Sequence, residues 1–560
     1  MVSMRSGGIR GQAAVVILCG IILLAPGLRT IPLIDRDEPR FARAAVEMIS
    51  RHEWVVPFFN CDFRFDKPVL TYWLMRAGYA LLGVNEAGAR LHSLVSAIAT
   101  ALLLMWFARR WISAEAGLLC AIIFLSQLQV LIHGRSAVAD MPMVFFVTLC
   151  QVLLFEMAAR DDIPRAAFPM CYGAMALGFL AKGPIAILVP LLSLALFYLI
   201  TPRRISPGKL RLGSGLGMAL LLVALWGLPA LIATRGEFLR VGIGKHVLER
   251  GVAAFNARKM LPGYYLLTAF FSLFPWIVFA PAAITWVRRH WGRLGAWLTA
   301  WALSPYVIFS FYATQLPHYV MPAFPATALL LAAGIQEDSC RRYGAASRLW
   351  AALTSGAYLC VAAVLFALFL LTPGRELGLA ARLALGGGLT LVLSLLGLAW
   401  TIVHRRWPTA VPILLVAGLS FLAIGAGLRR MVVAVRLVPF FRSLPPETRF
   451  AYYRFREPSL VFYSGHCWTR LDQEEELEQF ISRGPGRVAI FTAAACDLDD
   501  LARAGWGSSR QIPWKHFPSA PLPVPSSGCR IFYVCGVNPA RSELVKVGVL
   551  YRPFPGPRTE

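Results

Sequence analysis

The chain is poor in charged residues for its length. Of its 560 residues, 15% are charged and 57% are hydrophobic. A soluble globular protein carries about a quarter charged residues, so this composition argues against a soluble fold. It indicates a polytopic α-helical membrane protein in which long apolar helices cross the bilayer.

Two kinds of motif are also missing from the sequence. No GxxxxGK[ST] phosphate-binding loop occurs, which argues against an ATP-driven pump built into this chain. The eleven cysteines show no CxxC pair and no zinc spacing. If the tail of the chain lies outside the cytoplasm, a disulfide can form among its four cysteines. These are Cys467, Cys496, Cys529 and Cys535.

The net charge of +25 comes from basic clusters that separate apolar runs, so the positive-inside rule explains it better than a nucleic-acid partner does. A span needs about 20 apolar residues. That length predicts about thirteen spans, near 12–33, 89–108, 115–133, 138–158, 166–181, 184–202, 214–234, 265–286, 294–313, 319–336, 349–372, 382–403 and 410–428.

Alternate loops differ in their content of basic residues. Six loops are rich in cations and are predicted to be cytoplasmic, near residues 109–110, 160–165, 203–211, 288–293, 341–348 and 405–406. The short loops between them are poorer in cations. This alternation predicts a cytoplasmic N-terminus. It also places the first loop (35–88) and the tail after Leu428 outside, so the number of spans is odd.

The predicted organisation has two domains, a transmembrane domain over 1–428 and an extracytoplasmic α/β domain over 429–560. In the first outer loop, helices are expected over Pro39–Ser50 and, at the membrane interface, over Val69–Leu82. Strands and helices are expected in the tail from its period-2 and 3.6-residue patterns. The strands are Phe450–Phe455, Ser459–Tyr463, Arg487–Phe491 and Arg530–Val534, and the helices are Glu474–Ser482 and Leu498–Ala504.

Ionisable residues from several distant segments fall on the predicted outer face. They are Asp37, Glu38, Arg40, Asp66, Lys67, Arg135, Asp140, Lys182 and His318. Each has a simple structural explanation, such as helix capping for Glu38 and Asp140 or lipid contact for Arg135. Convergence of acids and bases from distant positions on one face is nevertheless typical of a site. The outer acids could also hold a divalent metal, but no ligand spacing demands one.

The first outer loop contains a set of short motifs, and others follow along the chain. They are Asp37–Ala42, Trp54–Pro57, Phe65–Pro68, Gly134–Pro142, Gly178–Pro184, Phe274–Trp276 and Leu316–Tyr319. In order and spacing over roughly the first 340 residues, this set resembles the polyprenyl-phosphate-dependent glycosyltransferases of the GT-C type. Within that type it is most similar to the aminoarabinose (lipid A) transferases and the bacterial protein-mannosyltransferase-like family.

The resemblance implies an inverting transfer of one sugar at the periplasmic face of the bacterial inner membrane. The donor would be an undecaprenyl-phosphate-linked sugar and the acceptor a lipid A, glycan or protein. Asp37 matches the family's first-loop acid, Asp66 replaces its usual Glu, and Asp140 would assist catalysis. Lys67 would hold the donor phosphate. The other substrate-binding residues implied are Glu38, Arg40, Arg135, Lys182 and His318.

Two other classes of protein fit a polytopic sequence. A transporter or lipid flippase for envelope glycolipids would favour mid-span charges, broken helices and internal repeats, and the sequence shows few of these. A non-enzymatic scaffold, with the tail as a binding module, would not depend on Asp37 or Lys67.

Overall fold

The computed structural model describes residues 8–33, 37–201, 207–249, 263–337, 345–372, 376–404, 406–453, 455, 457–495, 529–538 and 543–554. Helices dominate the region up to Arg442. They are Ile9–Leu24, Glu38–Ser50, Leu70–Leu82, Glu86–Trp111, Ala114–Ser126, Leu128–His133, Asp140–Ala159, Ala167–Lys182, Ile185–Ile200, Pro207–Leu210, Leu212–Ala233, Tyr264–Ser272, Ala280–Arg289, Arg293–Ser310, Phe324–Gln336, Ala345–Leu371, Glu376–Val403, Trp407–Met431, Val433–Arg436 and Val438–Arg442. A π-helix covers Phe238–Glu249, and 3₁₀ turns cover Trp276–Phe279 and Pro317–Ala323.

Each of the thirteen predicted apolar segments contains helix, but the count of thirteen spans is supported only in part. Seven helices in the described part of the chain are long and apolar enough to cross a membrane. An eighth would be the pair Tyr264–Ser272 and Trp276–Arg289, which is bent by 112°. Hydropathy does not report such breaks. Ala114–Ser126, for example, ends because Gln127 takes an extended conformation with ψ 131°.

Burial separates central helices from peripheral ones. The most apolar windows of Asp140–Ala159 and Pro317–Gln336 are each 78% buried inside the protein. Those of Gly208–Ala233 and Ser347–Leu371 are only 17% buried, which leaves their apolar side chains facing outward as lipid contact requires. The central helices therefore form the rigid frame on which a site can be built.

The first and last apolar helices run in the same direction. Gly418 packs so closely on the first helix that a Cβ there would lie 2.0 Å from the Ile22 carbonyl oxygen. Seven residues further on, a Cβ at Gly425 would lie 2.6 Å from the Thr30 hydroxyl oxygen. Arg429 then donates a hydrogen bond to the Arg29 carbonyl oxygen at 3.2 Å. Contacts that advance together along both helices mean that the first loop and the tail leave from the same end of the bundle.

The first loop folds on that end as two helices joined by a small hairpin. The helices predicted over Pro39–Ser50 and Val69–Leu82 are confirmed as Glu38–Ser50 and Leu70–Leu82. Pro39 favours the start of the first because its fixed φ suits the first helical turn. The hairpin pairs β1 (Phe58–Phe59) with β2 (Asp62–Phe63).

The tail contains a five-stranded mixed sheet and two helices, Pro458–Ser464 and Glu474–Ser482. The strands are β3 Arg449–Tyr453, β4 Trp468–Leu471, β5 Arg487–Ala495, β6 Arg530–Asn538 and β7 Glu543–Arg552. Their order across the sheet is β4-β3-β5-β7-β6. Strand β3 is parallel to β4 and β5, and β7 is antiparallel to β5 and β6. The small α/β arrangement predicted for the tail is therefore found.

One predicted strand of the tail is wrong. The apolar stretch Ser459–Tyr463 forms the helix Pro458–Ser464 instead of a strand. Pro458 at its start suits a first helical turn, and Gly465 ends it with φ 76°. Packing of this helix against Glu38–Ser50 outweighs the strand preference of its aromatic and branched residues. The predicted helix Leu498–Ala504 lies outside the described residues.

A disulfide joins the tail to the first loop. Cys467 bonds to Cys61, with Cα atoms 5.9 Å apart across a sequence separation of 406 residues. The sequence left open a disulfide among the four tail cysteines; Cys467 bonds to the first loop instead, and Cys529 is a free thiol. Beside the disulfide, Asn60 and Trp468 exchange two hydrogen bonds of 2.8 and 2.6 Å. The tail is thus fastened to the loop that carries two of the three predicted catalytic acids, Asp37 and Asp66.

Candidate functional site

A polar cluster lies where four separate helical segments meet. Lys182 Nζ donates a hydrogen bond to Asp140 Oδ1. One ligand atom from each of His133, Asp140 and His318 lies within 4.8 Å of the others, and the two imidazole rings have centroids 5.1 Å apart. The structure therefore brings together three residues that the sequence had nominated.

Helix ends position this cluster. Asp140 opens Asp140–Ala159, and Lys182 closes Ala167–Lys182, so each charge lies at the helix end whose dipole favours it. Gly183, with φ 92°, then turns the chain away, in a conformation that glycine adopts without strain. His318 lies in the 3₁₀ turn Pro317–Ala323. Short-range turns thus deliver these side chains to one level of the bundle.

A second polar group belongs to the first loop and is centred on Arg64. Its guanidinium forms a 2.9 Å ion pair with Asp66 and donates to the Tyr72 hydroxyl at 3.0 Å. Burial raises the pKa of Tyr72 to about 12, so this hydroxyl stays neutral and accepts the bond. The exposed Asp37 interacts electrostatically with the same guanidinium. Two of the three predicted catalytic acids therefore share one arginine.

Lys67 connects the two groups. It follows Asp66 directly, and its charge acts on the His318 imidazole. Lys67, Asp66 and Lys182 all line one cavity of about 400 Å³. The remaining wall is mostly apolar and includes Phe179, Leu220, Val223, Leu228, Leu231 and Phe238. A cavity with ammonium groups at one part of its wall and hydrocarbon along the rest suits a ligand with an anionic head and an apolar tail.

Glu38 is placed away from this cavity. It is 2% exposed, and Arg90 binds both of its carboxylate oxygens at 2.9 Å. The Ala137 amide also donates to it at 2.7 Å. These contacts join the first loop to two other segments, so a structural role explains why a carboxylate is buried at Glu38. Its substrate-binding role stays a prediction.

Arg135 is likewise held within the protein. It is 3% exposed and donates to the carbonyl oxygens of Pro26 and Leu131, at 3.1 and 2.7 Å. Its guanidinium carbon stacks 3.4 Å from the centre of the Phe421 ring. Arg40 lies half-buried in Glu38–Ser50. The substrate-binding roles predicted for both arginines remain untested.

Three participants escaped the sequence analysis: Arg64, Arg90 and His133. Arg64 stands two residues before Asp66, just outside the motif Phe65–Pro68. Arg90 falls inside an apolar helix, where an arginine is costly and so signals a partner. His133 directly precedes the nominated stretch Gly134–Pro142. The position of Arg90 within the helix Glu86–Trp111, which is otherwise largely apolar, was the signal that could have been used.

His133, Asp140 and His318 offer an N,N,O ligand set of the kind that binds zinc. The Lys182 ammonium occupies one Asp140 oxygen and competes with a cation for that carboxylate. A second group, Glu47 with Cys61 and Cys467, lacks thiolates because its cysteines are bonded to each other. The geometry of His133, Asp140 and His318 alone therefore does not establish a metal site.

Comparison with known proteins bears on this arrangement. Residues 66–226 match the family model described as dolichyl-phosphate-mannose-protein mannosyltransferase. Two relatives are described as undecaprenyl phosphate-alpha-4-amino-4-deoxy-L-arabinose arabinosyl transferases. That of Pectobacterium atrosepticum is 31% identical over 332 residues, covering 58% of this chain and 59% of its own. That of Pseudomonas aeruginosa is 33% identical over 328 residues, covering 56% and 58%. The chain thus spans just over half the length of the curated relatives it matches.

The fold is also shared with a solved structure. The crystal structure of ArnT from Cupriavidus metallidurans bound to undecaprenyl phosphate superposes with a TM-score of 0.69 at 20% identity, covering 86% of this chain and 92% of that chain. The apo form of that protein gives a TM-score of 0.70. The resemblance to GT-C glycosyltransferases drawn from the motifs is therefore confirmed, and the likeness in structure extends into the tail.

Proposed function

We propose that this chain is an inverting glycosyltransferase that moves a sugar from an undecaprenyl-phosphate-linked donor to a lipid A, glycan or protein acceptor. The observation that carries the proposal is the cavity of about 400 Å³ that Lys67 and Lys182 line together with a mostly apolar wall. The arabinosyl transferase relatives and the solved structure with bound undecaprenyl phosphate support the same donor class.

The two lysines would hold the donor phosphate. Its negative charge grows as the sugar leaves, so fixed ammonium groups stabilise the transition state more than the ground state. Lys182 is oriented by Asp140, which keeps its Nζ at the cavity wall. The polyprenyl chain would lie along the apolar wall, out of water. With the phosphate on the lysines and the polyprenyl chain on the apolar wall, the anomeric carbon of the sugar would lie beside the polar cluster.

Asp37 would act on the acceptor. It is exposed beside Arg64 and can therefore meet a hydroxyl arriving from water. In a single displacement, the acceptor oxygen bonds to the anomeric carbon while the bond from that carbon to the phosphate oxygen breaks. The proton passes to Asp37, and the bonding electrons leave with the phosphate. Asp66, paired with Arg64, would keep the loop in place.

The site would face the periplasm of a bacterial inner-membrane protein with thirteen spans and a cytoplasmic N-terminus. The Cys61–Cys467 disulfide supports this side, because disulfides persist in oxidising compartments. Since the first and last apolar helices are parallel, the first loop and the 429–560 domain would share that side. The pattern of cationic loops supports the same orientation.

The test is Asp37→Asn, with Asp62→Asn as the matched control. Asp62 is an exposed acid of the same loop, in β2. Glycans and lipid A from cells expressing each variant are compared by mass spectrometry. Asp37→Asn is expected to lower transfer by about 10²–10⁴-fold at normal expression, while Asp62→Asn stays near wild type.

Wild-type turnover by Asp37→Asn would refute the acid role. A flippase would instead be indicated if deletion of the protein blocked donor export. An enzyme leaves export intact and accumulates unmodified acceptor.

A further inference from the structure

A second cavity lies where the last apolar helix meets the tail, and it is cationic. Its volume is about 750 Å³. Four arginines line it: Arg429, Arg430, Arg436 and Arg442. The other described lining residues are Thr30, Leu379, Ala426, Val435, Val438 and Pro439, so no acid is among them. It shares no described lining residue with the cavity that holds Lys67 and Lys182.

One of the four guanidinium groups is paired with an acid, and two are open to solvent. Arg429 pairs with Glu86 at 3.0 Å, outside the cavity lining. Arg430 and Arg442 are exposed. Exposed guanidinium groups in a cavity with no acid among its described lining residues make an anion-binding wall.

The four arginines lie close together in the sequence. All four follow within fifteen residues of Leu428, at the end of the bundle that carries the first loop and the tail. The six short loops that are rich in cations are predicted at the opposite end, as the positive-inside rule requires, although the segment 234–263 at the proposed outer end is basic as well. At the outer end, the arginine cluster gives this cavity a local positive charge that attracts anions.

The surroundings indicate what kind of anion would fit. Leu379, Ala426 and Val438 supply hydrocarbon surface beside the guanidinium groups. The helix Trp407–Met431 is a candidate span, so its last turn, with Arg429 and Arg430, lies at the level where head groups meet water. Guanidinium groups bind phosphate through paired hydrogen bonds, and the apolar neighbours suit the first methylenes of an acyl chain.

We propose that this arginine cavity binds the anionic, phosphate-bearing head group of a membrane lipid, as a site separate from the sugar-transfer site. Two exposed guanidinium groups would clamp the phosphate while the lipid keeps its acyl chains in the bilayer. Bound there, the lipid would brace the junction between the last apolar helix and the tail. The proposal concerns binding and does not require the transfer reaction.

The experiment titrates the purified full-length protein with phosphatidylglycerol and, separately, with zwitterionic phosphatidylcholine, and counts bound lipid by native mass spectrometry. The test variant is Arg430→Gln/Arg442→Gln. The control, Arg288→Gln/Arg289→Gln, removes the same charge from an exposed pair at another helix end. A thermal-unfolding midpoint within a few degrees of wild type shows that each variant is folded.

Phosphatidylglycerol is expected to bind the wild type and the control equally, and to bind the test variant at least about tenfold more weakly, since two charge-assisted contacts are lost. Equal binding of the two lipids, or unchanged affinity in the test variant, would overturn the proposal. Displacement of phosphatidylglycerol by inorganic phosphate at equal concentration would show a site for a soluble anion instead. Because the readout is lipid binding, a negative result leaves the proposed transfer reaction standing.

Discussion

Replacing Arg90 by Met should destabilise the protein strongly, because Arg90 ties three segments together. Its guanidinium makes two hydrogen bonds to Glu38 and three to the carbonyl oxygens of Leu28, Ile31 and Pro32. Arg90 is 1% exposed and Glu38 is 2% exposed. Without the arginine, the Glu38 carboxylate stays buried and loses both of its guanidinium hydrogen bonds, while the Ala137 amide still donates to it.

The expected loss is about 3–5 kcal/mol, the usual cost of breaking a buried ion pair from one side. Arg90→Lys should lower the free energy of unfolding by much of the same amount, since an ammonium group cannot donate hydrogen bonds to a carboxylate and three carbonyl oxygens at once. The double variant Glu38→Gln/Arg90→Met should recover part of it, because the buried carboxylate that lost its arginine is then replaced by a neutral amide. Arg110→Met is the control, since Arg110 is 39% exposed in its pair with Glu156 and should cost no more than about 1 kcal/mol.

Unfolding by sodium dodecyl sulfate in mixed micelles, followed by tryptophan fluorescence, gives the free energies. The reasoning is refuted if Arg90→Met is no less stable than Arg110→Met. It also fails if the double variant is less stable than Arg90→Met, since the cost would then not come from the carboxylate that lost its arginine.

Three further results are expected. Reducing the Cys61–Cys467 disulfide, or replacing both cysteines by Ser, should lower the free energy of unfolding by about 2–4 kcal/mol. The tail should then be released from the first loop and be digested faster by a protease. An unchanged rate of digestion would show that the disulfide does not hold the tail on the loop. Burial raises the pKa of Glu457 to about 7. Between pH 4.5 and 7 the native state therefore keeps a proton that the unfolded state has lost, and stability falls as pH rises through this window by about 3 kcal/mol. Glu457→Gln should flatten that dependence, and a slope identical to wild type would disprove it. Lys67→Ala should raise the KM for the donor more than the KM for the acceptor. The control is Lys209→Ala, at an exposed lysine paired with Asp161, and it should change neither KM. Equal effects of Lys67→Ala on both KM values would argue against phosphate binding.

Local features of the sequence were enough for the helices and for part of the site. A long apolar run, a proline at a first turn and a glycine at a last turn act within a few residues of each other. Glu38–Ser50 and Glu474–Ser482 therefore appear at or within a residue of their predicted bounds. The structure also brings Asp140, Lys182 and His318 together, because each stands at a helix end or in a turn at one level of the bundle; their roles stay predictions.

Other features depend on groups far apart in the chain, and these only the tertiary structure decided. Cys467 could not be matched to Cys61 from spacing, since 406 residues separate them. Ser459–Tyr463 has strand composition but is helical where it packs on Glu38–Ser50. Composition and local pattern determined a membrane-embedded helical chain with charged turns. Which charges pair and which face a cavity was set by packing, because burial and partner distance exist only once distant segments meet.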